Sequence, residues 1–244
     1  MPSLSIIIPC YNEEKRLQGK VIQDFLSDKG NISIVFVNDG STDKTREVLN
    51  DIQLSNPSRI SIITHKKRMG KAEAVRSGFL ESLKTNAATH HGFIDADLSI
   101  SPTELYRLFE ILITNDYKFI LGSRIKKVGS KIIRNEWRHF YSRVIATIVG
   151  WLIKLDVYDI QCSAKIFEKE MAPSLFAEKF HTKWLFDVEL LCRIHNIYGD
   201  LNASGIEEPV KEWTEKKGSK LRWYNFFQIL KEVFTLRKYY RHSR

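Results

Sequence analysis

The chain has 244 residues, 43% hydrophobic and 27% charged, with a formal net charge of +9, a balance that excludes a disordered chain and is enough for one sizeable core. The positive excess asks for an anionic partner, and charge alone leaves nucleic acid, a phosphorylated substrate and an acidic membrane face all open. Cys10, Cys162 and Cys192, odd in number and without ligand spacing, exclude a disulfide framework and a zinc site and suit reduced thiols in the cytoplasm.

Met1-Pro2-Ser3 enters an apolar run directly, without a basic leader, so no signal peptide is expected. Leu4 to Pro9 and Ile32 to Val37 are β-branched runs that read as buried strands. Between them Leu17, Val21, Phe25 and Leu26 fall at helical spacing over Glu13 to Leu26, giving a β-α-β unit and a parallel sheet. Ser41 is placed to cap a helix bearing Val48, Leu49 and Ile52, Ile60 to Thr64 is a strand, and Lys71 opens a helix with Ala72, Val75 and Phe79 inward. Phe93-Ile94 ends the next strand. Ser101-Pro102-Thr103-Glu104 then combines an N-cap, a first-turn proline and a glutamate placed to close a capping box before Leu105, Leu108, Phe109 and Leu112. Phe119 to Leu121 returns as a strand ended by Gly122-Ser123-Arg124.

From Arg124 to Arg143 seven cations face the single acid Glu136, and the arginines among them suit a phosphate. Phe140 to Leu155 reads equally as a core helix or one lying in a lipid interface, and its longest apolar run, Val144 to Leu155, is too short to span a bilayer. Asp159 to Phe167 is predicted as a strand behind the site. Trp184 to Ile194 is predicted as a helix with Trp184, Val188, Leu191 and Ile194 inward, and Asp187 and Glu189 in its first turn complement the helix dipole. The organisation expected is one domain over 1–220 and an aromatic and basic helix over 221–244, packed on the domain or lying at a membrane surface.

The candidate site is where the strands end. Ligands bind beyond the carboxyl ends of a parallel sheet, and here those ends carry Tyr11-Asn12-Glu13, Asn38-Asp39, Gly70-Lys71, Asp95-Ala96-Asp97 and Arg124. Asp95 and Asp97 project to one face if strand geometry holds. Two carboxylates so close ask for a cation between them, and Mg²⁺ or Mn²⁺ with waters and substrate phosphates is the economical one. The plainer reading of the triplet is a strand end followed by a turn.

Ile7-Ile8-Pro9-Cys10-Tyr11-Asn12-Glu13, Asn38-Asp39-Gly40-Ser41-Thr42-Asp43, Gly70-Lys71 and Asp95-Ala96-Asp97, in this order, resemble the family 2 glycosyltransferases of the α/β GT-A fold. Asp159 to Cys162, Trp184 to Leu191, and Trp213 to Glu215 with Gly218 to Leu221 look like its polyprenyl-phosphate sugar-transferring branch, the dolichyl-phosphate β-glucosyltransferases in particular. The resemblance implies a nucleotide-sugar donor and a polyprenyl phosphate acceptor. Pro9, Tyr11, Glu13 and Asp39 would hold the base and ribose, with Lys71 nearby and Ala96 on the donor side. Asp95 and Asp97 would bind the metal, Arg124 and Arg138 would receive the acceptor phosphate, and Lys220 would close over the diphosphate. Ser99 stands where mannose-transferring relatives often carry a ligating glutamine, and Ser163-Ala164 where Gly-Phe is more usual.

The nature of the acceptor decides whether a base is needed. A phosphate monoester is already anionic at pH 7, whereas a glycan hydroxyl needs a carboxylate base, for which Asp187 is the candidate. A nucleic-acid partner is not expected, because no binding motif accompanies the charge. The expected location is the cytoplasm, at the cytoplasmic face of a membrane.

Overall fold

Strand β1 (Leu4–Cys10) exposes none of Ile6, Ile7 and Ile8, because a central parallel strand is covered on both faces. The computed structural model describes residues 1–85, 88–133, 157–214, 216 and 225–240. Seven strands form one sheet in the order β3-β2-β1-β4-β7-β5-β8: β2 (Ile32–Asn38), β3 (Ile60–Thr64), β4 (His90–Phe93), β5 (Phe119–Ser123), β7 (Lys165–Glu168) and β8 (Gly205–Pro209) join β1. All run parallel except β7, which lies antiparallel between β4 and β5. β6 (Lys131–Ile133) and β9 (Glu212–Thr214) form a separate two-stranded ribbon.

The alternation of β1 splits the core. Ile6 and Ile8 point into the layer formed with α1 (Gly19–Asp28), α2 (Thr45–Ser55) and α4 (Pro102–Thr114), while Ile7 points to the opposite layer. That second layer contains α3 (Lys71–Thr85), α5 (Ala172–Phe176), α6 (Phe186–Tyr198) and α7 (Asn225–Tyr240). Gly78 lets α3 lie close on the sheet, since a Cβ there would come within 2.4 Å of the Ile7 side chain. The C-terminal α7 buries Ile229, Val233 and Leu236 in this core, and its Glu232 accepts the Trp184 and Leu185 N–H groups at 2.9 and 3.0 Å. The mostly parallel α/β sheet read from the sequence is the one observed.

Several local expectations are corrected. Helix α1 starts at Gly19 rather than Glu13, because residues 13–17 form a turn in which Arg16 and Leu17 N–H groups bond the Glu13 carbonyl. Ser41 caps nothing: its hydroxyl accepts the Asn12 N–H at 3.1 Å, and Asp43 takes the Thr45 N–H at 3.1 Å. Ser101 does cap α4, accepting the Glu104 N–H at 3.1 Å, but the Glu104 carboxylate turns to Arg107 and to the Lys211 N–H instead of closing the box. Of the strand predicted over Asp159 to Phe167 only Lys165 onward is extended, because Asp159 folds back on Arg124. α6 begins at Phe186, two residues later than predicted.

Candidate active site

The strand order reverses between β1 and β4, so the crevice at their carboxyl ends opens where the connections diverge to opposite faces of the sheet. On the β1 side, Asn12 adopts a left-handed φ of 54°. It fastens its turn to the neighbouring loop, taking the Thr42 N–H at 2.9 Å, while the Glu13 N–H bonds the Thr45 hydroxyl at 2.7 Å. The Glu13 carboxylate is buried against Arg16, with bonds of 2.7 and 2.5 Å. Pro9 and Tyr11 stay half exposed at the strand end.

Asp39 is 3% exposed. One oxygen takes the Met69 N–H at 2.7 Å and lies 2.8 Å from His65 Nδ1, and the other takes the Gly70 N–H at 2.8 Å. The carboxylate therefore shapes the loop at residues 65–70. Gly40 makes room for that loop: its φ is +65°, and a Cβ would meet the Lys67 carbonyl carbon at 2.4 Å. The loop brings the Arg68 guanidinium over the Tyr11 ring at 4.3 Å.

Gly70, with φ +98°, leads into α3, and the Lys71 ammonium at its first turn sits 2.5 Å from the Asp95 carboxylate. Burial alone would lower the Lys71 pKa, but Asp95, Asp187 and Asp97 outweigh it and hold the pKa above the usual lysine value. Burial likewise pushes Asp95 up, and Lys71 overrides it, so the carboxyl titrates below its ordinary range. Ser163 adds a hydrogen bond to Asp95. Ala96 is buried, and Asp97, half buried, takes the Ser99 N–H at 3.0 Å. The Leu98 N–H closes this turn on the Asp95 carbonyl at 3.1 Å, with Leu98 itself at φ +50°. A left-handed leucine is uncommon, and such strain gathers at functional turns.

The donor set fits a hard dication. Asp95 and Asp97 offer only oxygen, and a lysine ammonium already occupies the cation's electrostatic place at Asp95. Among the described residues no cluster of three His, Cys, Asp or Glu side chains could hold a metal, so waters and phosphate oxygens would complete the shell.

Arg124 follows β5 and is gripped by Asp159, whose carboxylate takes its N–H at 2.8 Å and two guanidinium bonds at 2.7 Å. Burial would lower the Arg124 pKa, but the Asp159 contacts raise it. The Trp213 ring lies 5.5 Å from the guanidinium. Glu207 of β8 in turn fixes Asp159, accepting the Tyr158 and Asp159 N–H groups at 2.8 and 2.7 Å. Arg138 and Lys220 lie outside the described residues.

Asp187 and Glu189 separate in role. Glu189 is fully buried and satisfied by the His181 and Thr182 N–H groups, the Thr182 hydroxyl, Arg193 and Tyr240, so it braces the loop before α6. Asp187 is buried, held by the Lys165 ammonium at 2.7 Å, and close enough to Lys71 to favour its charge. Neither serves simply as a solvated first-turn acid. In the sequence Asp159 and Lys165 read only as part of a segment behind the site, and neither their partners nor Glu207 are legible. The one signal was a lysine inside the apolar stretch Cys162 to Phe167, where only a paired charge survives burial. All three cysteines are buried; burial pushes the Cys162 and Cys192 thiols up to about 12 and raises Cys10 as well, which leaves them unreactive.

A family model described as Glycosyl transferase family 2 matches residues 5–176. A dolichyl-phosphate beta-glucosyltransferase of Trichomonas vaginalis is 30% identical over 98% of this chain and 74% of its own length. Those of Dictyostelium discoideum and Homo sapiens are 30% and 28% identical, over 96% and 97% of this chain and 73% and 75% of theirs. Among solved structures, glucosyl-3-phosphoglycerate synthase from Mycobacterium tuberculosis, in complex with Mn²⁺, UDP-glucose and phosphoglyceric acid, superposes with a TM-score of 0.68. It covers 97% of this chain and 79% of that one at 17% identity, a likeness of fold.

Proposed function

This chain belongs to glycosyl transferase family 2, and on that premise we propose that it moves a hexose, glucose by resemblance, from UDP-glucose to a polyprenyl phosphate, with inversion at the anomeric carbon. The observation that carries the reading is the Asp95-Ala96-Asp97 turn at the β1–β4 crevice with Lys71 against it. The names of the T. vaginalis, D. discoideum and human relatives support the acceptor and the sugar.

Pro9 and Tyr11 line the base side, and Asp39 and Glu13 shape the loops around it. Asp95 and Asp97 hold Mg²⁺ or Mn²⁺, which when bound neutralises charge on the departing diphosphate. Lys71 stands where it can turn from Asp95 to a diphosphate oxygen, adding a fixed positive charge where negative charge develops. Lys220 is assigned to the same diphosphate. Arg124 and Arg138 receive the acceptor phosphate, with Arg124 pre-oriented by Asp159. The phosphate needs orientation rather than deprotonation, since its second pKa is about 6. Its attack from the face opposite the diphosphate inverts the anomeric centre. A cytoplasmic membrane face suits the acceptor. Among the described residues no helix is long and apolar enough to cross a bilayer. α7 turns Lys231, Phe234, Lys238 and Tyr239 outward, cations beside aromatics that suit a headgroup layer.

Incubation with UDP-glucose, Mg²⁺ or Mn²⁺ and a short-chain polyprenyl phosphate should yield a glycolipid labile to mild acid; absence of product with every common sugar nucleotide overturns the reading. The nearness of Asp187 to Lys71 supports one alternative, transfer to a glycan hydroxyl with Asp187 as base. Asp187→Asn keeps an oxygen for Lys165 and separates the two. We expect turnover within about tenfold of the parent, whereas loss of a general base costs roughly 10²- to 10⁴-fold. A loss of that size with UDP binding intact would establish the hydroxyl route.

A further inference from the structure

Lys165 opens β7 between Leu121 of β5 and Phe93 of β4, the residue two before Asp95. Its side chain has no exposed surface. The ammonium lies 2.7 Å from Asp187 Oδ1, donates also to the Cys162 carbonyl, and sits 5.5 Å from the centre of the Phe93 ring. Desolvating such a pair is costly, and apolar residues of similar volume often stabilise a fold as well or better. Stability therefore does not account for it, and the surroundings of Asp187 do. The same carboxylate also acts on Lys71, whose ammonium lies 5.8 Å from the centre of the ring of the neighbouring Phe186. The charges thus alternate from Lys165 to Asp187, Lys71 and Asp95.

We propose that Lys165 is a positioning residue for Lys71: by saturating Asp187 it keeps that carboxylate from capturing Lys71, which stays available to the donor's diphosphate. This rests on the reading above that Lys71 serves the diphosphate. Without the Lys165 charge, Asp187 is a buried anion lacking its counter-ion, and Lys71 is the cation that acts on it. Lys71 then turns to Asp187 and is lost to the ligand.

The test is calorimetric titration of the full chain with UDP in the presence of Mn²⁺. Lys165→Met should weaken UDP binding at least tenfold. The double variant Lys165→Met/Asp187→Asn, in which no unpaired carboxylate is left, should bind within threefold of the parent. A purely structural lysine predicts the reverse pattern: both variants unfold at lower temperature and bind UDP alike. Unchanged binding in the single variant, or no recovery in the double, overturns the proposal while leaving the donor assignment standing. If the parent itself does not bind UDP, the donor assignment falls and the proposal with it. Should Lys165→Met not fold, Lys165→Gln removes the charge while keeping a donor for the Cys162 carbonyl, and the same two outcomes decide there.

Discussion

Asp97→Asn is expected to lower turnover by about 10³-fold and to abolish the Mn²⁺ dependence of UDP binding. Asp97 is the cleaner of the two acidic probes. Its Oδ1 accepts the Ser99 N–H at 3.0 Å, a bond that the asparagine oxygen retains, so the turn bearing the strained Leu98 keeps its support. Asp95→Asn would instead release Lys71 from its 2.5 Å contact and change two charges' surroundings at once. What Asp97→Asn removes is one unit of negative charge from the cation site. Groups that offset charge developing on a leaving group are each worth roughly 10²- to 10³-fold, and loss of a ligand to the ion adds to that. The measurement is kcat with UDP-glucose alongside UDP titrations with and without Mn²⁺. Turnover within tenfold of the parent, with Mn²⁺ still tightening UDP binding, removes Asp97 from the metal site.

The largest expected effect on stability lies at the other end of the sheet. His91 of β4 has no exposed surface. Its Nδ1 is 2.9 Å from the Ser82 hydroxyl, which bonds Ser5 at 2.7 Å, and among the described residues no side chain or backbone group lies in good hydrogen-bonding geometry to its Nε2. A proton on that ring would be a buried charge; the Ala88 backbone favours it, but burial, Lys169 and His90 oppose it and prevail. Burial first, then those cations, push its pKa down to about 4 from 6.5. Between pH 4 and 6.5 the unfolded chain binds more protons at this residue than the native one, so stability rises with pH through that window. His91 thus contributes stability that is fully present above pH 6.5 and lost as pH falls towards 4, in total about 3 kcal/mol. Denaturant unfolding across pH 4 to 7 should show this slope, and His91→Gln should lose that share of it. Parallel curves for the two proteins across the window would exclude His91 as the source.

Much of this architecture is legible in the linear order of residues. β-branched runs mark β1 to β3, the apolar Phe93-Ile94 and Phe119 to Leu121 mark the end of β4 and β5, the spacing of Val75 and Phe79 marks α3, and Ser101-Pro102 marks the start of α4. Periodicity and capping act within a few residues, so the sequence carries them directly. The convergence of Asp39, Lys71, Asp95 and Arg124 follows from parallel strands alone, since all such strands end on one rim.

What escapes is of longer range. β7 enters the sheet antiparallel and only four residues long, and nothing local distinguishes it from the turn at Asp159 to Ala164. Glu13 and Asp39 carry the motif expected at the nucleotide, and the sequence does not show that their carboxylates also meet Arg16 and the loop at residues 65–70.

By itself the sequence determined an α/β parallel sheet, the rim on which its acidic and basic residues gather, and the Asp95-Ala96-Asp97 turn, because each depends on local periodicity or on strand direction. Only the tertiary structure decided which cation meets which carboxylate: Lys71 with Asp95, Arg124 with Asp159, Lys165 with Asp187. Those partners lie 22 to 35 residues apart in the chain, and a charge in a desolvated crevice takes as its partner whatever folding brings within about 3 Å.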